Sequence, residues 1–229
     1  MKILALDTAT EACSVALAID GEVFERYEVL GRGHAERLLP MVQAVLAEGG
    51  VALAALDAIA FGRGPGAFTG LRIAAGVTQG LAFGAGLPVV PVSDLAALAS
   101  RAAVLREERQ VLACLDARMG QVYWAAFDCA DPAAPVARTP EAVADPAAVY
   151  LPEIGDSPVL GWFGAGHGFS AYPALHTLLG ERLAGYDAEL LPHAREIALI
   201  GARAFAAGDV VAAEQAVPVY LRDQVAHRR

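Results

Sequence analysis

Basic residues are scarce in this chain. Lys and Arg together number 17 against 26 Asp and Glu, for a formal net charge of −9. A protein that grips nucleic acid by its backbone carries a basic patch. Here the basic residues are scattered apart from the closing "HRR", which argues against direct nucleic-acid binding by this chain alone. Long apolar runs are missing too: no stretch of roughly eighteen residues is free of charges and breakers, so no spanning helix is expected. The opening "MKILALDTAT" has too short an apolar part for a signal-peptide core and no small-residue cleavage site. It reads as a strand, and the expected compartment is the cytoplasm. The three cysteines, Cys13, Cys114 and Cys129, sit in or beside apolar strand-like runs without metal-ligand spacing, which makes them buried small hydrophobes.

What is present is the material of a packed fold. The chain has 229 residues, 56 % hydrophobic and 19 % charged, enough for one large or two small domains with a real core. "KILALD", "CSVALAID" and "GEVFERYEV" read as three strands, the last two joined at Asp20-Gly21 as a tight hairpin. A helix follows from His34 to Glu48, with Pro40 starting its regular part or kinking it, and "GG" stops it. Then come strand "LDAIAFG", loop "GRGPGAF", a helix capped by Thr69 and running to about Gly86, strand "LPVVPV", and a helix capped by Ser93 or Asp94 and running to about Arg106.

The order is β-β-β-α-β-α-β-α, and the second half starts again with "QVLACLDAR" and "GQVYWAAFD" joined through "ARMG". Residues 131–158 read as irregular with one short helix. "VLGWFGAG" reads as a strand, "FSAYPALHTLL" as a helix, "DAELL" as a strand and "AREIALIGARAFAAG" as a helix. Halves that open on antiparallel hairpins are not Rossmann units. They point to two ribonuclease-H-like (actin-like ATPase) half-domains, mixed sheets flanked by helices, with a cleft between them. The expected division is 1–108 and 109–229, the second half degenerate, its last helix packing back on the first.

Three turns carry candidate chemistry. Asp7 ends the first strand, and Thr8, Thr10 and Glu11 form the turn after it, where N–H and hydroxyl groups can hold phosphate oxygens. Asp116 and Gly120 repeat that pattern, and the glycine-rich strand end at Gly164 and Gly166 can approach a base or ribose. Each is equally a plain turn. Gly62, Gly64, Gly66 and Gly70 flank a helix start and suit either an anion or a tight β-to-α turn. No Gly-Lys-Ser/Thr follows, so this is not a Walker A loop. Gly76, Gly80 and Gly84 then recur every fourth residue along that helix. Each costs roughly 1 kcal/mol against alanine, so the stripe calls for close approach of another backbone, inside the domain or in another subunit. His34 has Leu38, not a second histidine, one helical turn on. Leucine offers no lone pair, and no spacing argues for His193 as a replacement.

Together "LALDTATEACSVAL", "GRGHAERLLP", "FGRGPGAFTGLRIA", "CLDARMGQVYW" and "PVYLRD" resemble the TsaB (YeaZ) family, a glycoprotease-like branch of the actin-like ATPases that serves synthesis of threonylcarbamoyladenosine on transfer RNA. The likeness runs from Met1 to about Val225. It implies a non-catalytic subunit that pairs with and stabilises the catalytic paralogue TsaD and is joined by the ATPase TsaE, with tRNA met only through the complex. It implies partner-binding residues on the first two helices, His34, Arg37, Leu38 and Met41 on one and Arg72, Gly76 and Gly80 on the other, with a homodimer using the same surface. In the catalytic paralogues a His-x-x-x-His pair on the first helix holds the metal; by that likeness His34 is a remnant and no metal is expected. No tightly bound cofactor is expected either, and at most weak nucleotide binding at a vestigial cleft formed by Asp7, Thr8, Asp116, Gly164 and Gly166. The alternatives are a stand-alone actin-fold ATPase or sugar-kinase-like enzyme, and a metallopeptidase, which the missing histidine disfavours.

Overall fold

The computed structural model describes residues 1–153 and 161–222. Parts of the 131–158 and 159–166 stretches and the end of "PVYLRD" lie outside the described residues. Strands β1 (Lys2–Asp7), β2 (Ala12–Ile19) and β3 (Glu22–Val29) form an antiparallel meander. Helix α1 (His34–Glu48) leads to β4 (Ala58–Gly62), α2 (Phe68–Ala85), β5 (Val89–Val92) and α3 (Asp94–Arg106). The second half has β6 (Gln110–Arg118), β7 (Gln121–Asp128), β8 (Val136–Ala137), β9 (Ala142–Ala144), β10 (Trp162–Ala165), α4 (Gly168–Ala171), α5 (Ala174–Leu179), β11 (Leu183–Asp187) and α6 (Ala194–Ala207). The first sheet runs β3-β2-β1-β4-β5, and the second runs β11-β10-β6-β7-β8 with β9 also on β7. In each, an antiparallel hairpin is extended by two parallel strands. This is the duplicated, two-lobed actin-like arrangement.

The strands sort their side chains by size. On one face of the first sheet Leu4, Leu6, Val15, Leu17, Ile59 and Phe61 pack with α1 and α2. The other face is built from Ala5, Ala16, Ala18, Ala58 and Ala60 with Ile3, Val90 and Val92, and it is covered by Ala194, Ile197 and Ala198 of α6. Small side chains let that helix come close: a Cβ on Gly201 would lie 2.8 Å from the Ala60 Cβ. Helix α3 is exchanged the other way. Its Leu95, Leu98, Ala99 and Ala102 pack on Val111, Ala113, Leu115 and Phe127 of the second sheet. The far face of that sheet is closed by Phe169, Leu175 and Leu179. The three cysteines are buried and unpaired, and burial pushes the Cys13 thiol up to about 12.

Several local expectations need correction. Thr69 does not cap α2: the helix starts at Phe68 after Ala67, with no side-chain cap. Ser93 does cap α3, accepting from the Ala96 N–H. "FSAYPALHTLL" is two short helices, because Pro173 stands at the start of the second and cannot continue the first. The last strand precedes "DAELL" and ends at its first residue, Asp187. The 131–158 stretch adds two short strands to the edge of β7. Pro40 lies inside α1 without ending it.

Candidate functional site

Between the lobes lies a cleft of about 610 Å³, lined by the β1–β2 turn, the start of α2, the β6–β7 turn, His167 and residues 219–222. The two turns that carry Asp7 and Asp116 occupy equivalent places in the two lobes, but they differ in what they offer.

On the first side the turn is filled from within. The Thr8 hydroxyl donates to the Gly70 carbonyl at 2.7 Å, and the Ala67 N–H donates to the Ala9 carbonyl at 2.7 Å. A Cβ on Gly70 would lie 1.9 Å from the Thr8 carbonyl oxygen, and one on Gly66 would lie 2.4 Å from that of Ala9. Gly66 and Gly70 therefore serve backbone contact between the start of α2 and the β1–β2 turn, the tight-turn reading of this loop. Asp7 is fully buried, does not line the cleft, and accepts from the Ala9 N–H at 2.8 Å. Its partner is Asp94, equally buried, which accepts from the Gly64 N–H at 2.5 Å. Burial raises both carboxyls, Asp7 to about 6 and Asp94 well above its usual range. As a nucleotide ligand, then, Asp7 is turned the wrong way, and the Thr8 hydroxyl is already engaged. Asp94 was read from sequence only as a helix cap.

On the second side the turn is open to the cleft. Asp116 accepts from the Arg118 N–H at 2.8 Å and from the Tyr172 hydroxyl at 3.0 Å, and its other oxygen meets the Arg118 guanidinium at 3.1 Å. Its own N–H donates to His167 Nδ1 at 2.9 Å. That leaves the proton on Nε2, which faces Glu11 of the first lobe at 3.7 Å. Burial lowers the His167 pKa despite the nearby Glu11 and Asp116. Gly164 and Gly166 do not reach the cleft. A Cβ on Gly164 would strike the Phe169 ring at 2.4 Å, and one on Gly166 the Cys114 carbonyl at 2.4 Å. They are packing glycines, a correction to the base-or-ribose reading. His167, Tyr172, Arg118 and Arg222 were missed, since nothing local in sequence joins them.

The partner-facing candidates divide in the same way. Leu38 and Met41 are in the core, 0 % and 3 % exposed, packed on β2 from behind. They support α1 and present nothing outward, which corrects their placement on a docking surface. His34 Nε2 donates to the Thr10 carbonyl at 3.1 Å, with the proton assigned from that acceptor; it pins α1 to the β1–β2 turn. Arg37 is exposed and makes a two-pronged pair with Glu28. Arg72 stacks over the Phe68 ring at 3.8 Å and donates to the Tyr220 hydroxyl at 3.0 Å. Gly76, Gly80 and Gly84 have open space where a side chain would be, and beside them Phe83 is 80 % exposed. The described residues contain no group of three or more His, Cys, Asp or Glu placed to hold a metal ion, and no helix long and apolar enough to cross a membrane.

Comparison with known proteins bears on this geometry. The family described as "TsaD: tRNA N6-adenosine threonylcarbamoyltransferase" matches residues 27–153. The TsaB protein of Escherichia coli K12, named a tRNA threonylcarbamoyladenosine biosynthesis protein, is 44 % identical over 232 residues, covering 100 % of this chain and 98 % of that one. The Haemophilus influenzae TsaB is 53 % identical over 54 % of this chain and 52 % of its own length. Among solved structures, YeaZ from Pseudomonas aeruginosa superposes with a TM-score of 0.88 at 50 % identity, covering 96 % of this chain and 99 % of that one. The chain belongs to the TsaB (YeaZ) family, whose E. coli member is named for tRNA threonylcarbamoyladenosine biosynthesis.

Proposed function

We propose that the protein is a non-catalytic subunit in cytoplasmic synthesis of threonylcarbamoyladenosine on transfer RNA. On this reading it pairs with the catalytic paralogue TsaD through the open face of α2 and stabilises it. TsaE joins the pair, and tRNA is met only through the complex. The observation that carries the reading is the glycine stripe of α2. Gly76 and Gly80 have nothing within 4 Å of where a side chain would start, so the helix does not give up roughly 1 kcal/mol per glycine for packing inside the chain. A partner backbone is the remaining use. The state of the first turn supports a supporting role over catalysis: Asp7 is buried and Thr8 is bonded to Gly70.

The test is Gly80→Leu. The variant is expected to melt at or slightly above the unaltered protein by circular dichroism, because the added side chain enters open space and leucine favours a helix over glycine, and to fail to retain TsaD in a pull-down. A folded variant with full TsaD affinity would overturn this placement of the interface. Gel filtration of the same pair shows whether a homodimer uses that face. The ATPase reading is tested separately. Little intrinsic turnover is expected; steady hydrolysis abolished by Asp116→Asn would restore the enzyme reading.

A further inference from the structure

We propose that Asp7 and Asp94 hold a single proton between them, and that this proton locks residues 62–66 and, through them, the strap of residues 217–222 against the first lobe.

The geometry begins at Gly62. A Cβ there would lie 2.3 Å from Asp94 Oδ1 and 2.8 Å from Asp7 Oδ1, so the bare α-carbon makes room for two carboxyl groups. One oxygen of Asp7 accepts from the Ala9 N–H and one of Asp94 from the Gly64 N–H. Asp7 Oδ2 and Asp94 Oδ1 are buried with no hydrogen-bond partner, and the two carboxyl groups converge on the same point beside Gly62. Ionised carboxylates only accept hydrogen bonds, so a bond between two of them needs a proton on one. Two full charges at that spacing away from water are disfavoured.

The neighbours do not supply a neutralising cation. From the loop, Arg63 is bonded twice to Glu141, at 3.1 and 3.0 Å. From α1, His34 is bonded to the Thr10 carbonyl. From β2 and β3, Cys13 and Tyr27 both have their ionisation disfavoured, in part by Asp7.

The strap rests on this loop. The Val219 N–H donates to the Arg63 carbonyl at 2.7 Å, and the Val219 carbonyl oxygen lies 2.8 Å from where a Gly64 side chain would start. Tyr220 then reaches Arg72 on α2, and Arg222 reaches the β6–β7 turn at Gln121 and the Arg118 carbonyl. One buried proton thus lies beneath a segment that spans both lobes over the cleft.

The sign follows from the burial. Both carboxyls bind their proton more tightly in the folded chain than in the unfolded one. The lock is complete at low pH and is lost as pH rises past the folded titration of the pair. Loss of one proton shifts the opening equilibrium by about tenfold per pH unit beyond that point.

Two measurements test the proposal. Infrared spectra at neutral pH, taken in a Glu196→Gln background to remove the other buried carboxyl raised to about 7, should show the C=O stretch of a buried carboxylic acid that disappears in both Asp7→Asn and Asp94→Asn. Amide hydrogen exchange should show Gly64 and Val219 losing protection together as pH rises, after correction for intrinsic exchange, while Val211, bonded to Val89 in the same lobe, keeps its own. In Asp94→Asn the side-chain Nδ2 donates to Asp7 in place of the shared proton, and Oδ1 accepts from Gly64. That variant should hold both amides protected across the range. Absence of the acid band in the Glu196→Gln protein with both aspartates intact overturns the proposal, and this result stands even if neither aspartate variant folds. So does a loss of protection that persists in Asp94→Asn, or one in which Val211 falls in step.

Discussion

The β1–β2 turn and the β6–β7 turn hold the same place in two lobes of the same topology, yet one is packed shut and the other is open. In the first, α2 starts directly against the turn, and Gly66 and Gly70 exist to permit it. In the second, the turn runs through three consecutive left-handed residues, Arg118, Met119 and Gly120, and nothing lies within 4 Å of where a Gly120 side chain would start. The aspartates follow suit: Asp7 is sealed against Asp94, while Asp116 keeps a polar shell that reaches the cleft. Duplicated topology preserves where a turn is, but the helix that follows decides whether it is available to a ligand.

The sharpest way to break this contrast is Gly70→Ala. A methyl 1.9 Å from the Thr8 carbonyl forces the helix off the turn, and a loss of about 3 kcal/mol is expected in urea unfolding. Gly120→Ala is its counterpart in the open turn. It meets no atoms and bears only the left-handed backbone cost, about 1 kcal/mol.

The next effect is a slope. Glu196 of α6 is buried with one oxygen unpaired, facing Arg101 of α3 at 3.5 Å, and burial raises it from 4.5 to about 7. Its folded pKa exceeds its unfolded one, so its contribution is present below about 4.5 and lost as pH rises through about 7. Glu196→Gln should flatten the fall in stability over that window, measured by thermal melting against pH.

Gly80→Ala extends the comparison to the two faces of α2. The methyl enters open space, and the isolated chain should gain roughly 1 kcal/mol from helix propensity, whereas the same change at Gly70 destabilises. Asp116→Asn is expected to be the smallest. It weakens the pair with Arg118, which is 87 % exposed, and such pairs are worth about 0–1 kcal/mol. A larger loss in urea unfolding would mean that the open turn is a structural element after all.

How much of this was legible in the sequence depends on whether a residue's role is local. Apolar runs ending in turn residues placed β1, β2, β4 and β6, and the Asp20-Gly21 pair placed the hairpin, because pattern and turn chemistry act within a few residues. Leu38 and Met41 went astray because a family likeness points to a helix without saying which way each of its residues faces; both are taken up by the core against the first sheet. Gly164 and Gly166 were assigned to a ligand because a glycine's missing side chain is equally useful to Phe169 or to the Cys114 carbonyl. Asp94 looked like a cap because its partner, Asp7, is brought to it only by the pairing of β1 with β4 and β4 with β5.

The exchange of helices between sheets has a consequence for how the chain is made. The alanine-rich face of the first sheet is covered only when Ala194, Ile197 and Ala198 arrive from the second half. Until then an emerging first half presents an uncovered apolar sheet, and it holds α3, whose own seat on Val111 and Phe127 is still to be translated. A chain stopped at residue 108 would lack both the cover of that face and the seat of α3, and it is expected to be less stable than the whole chain.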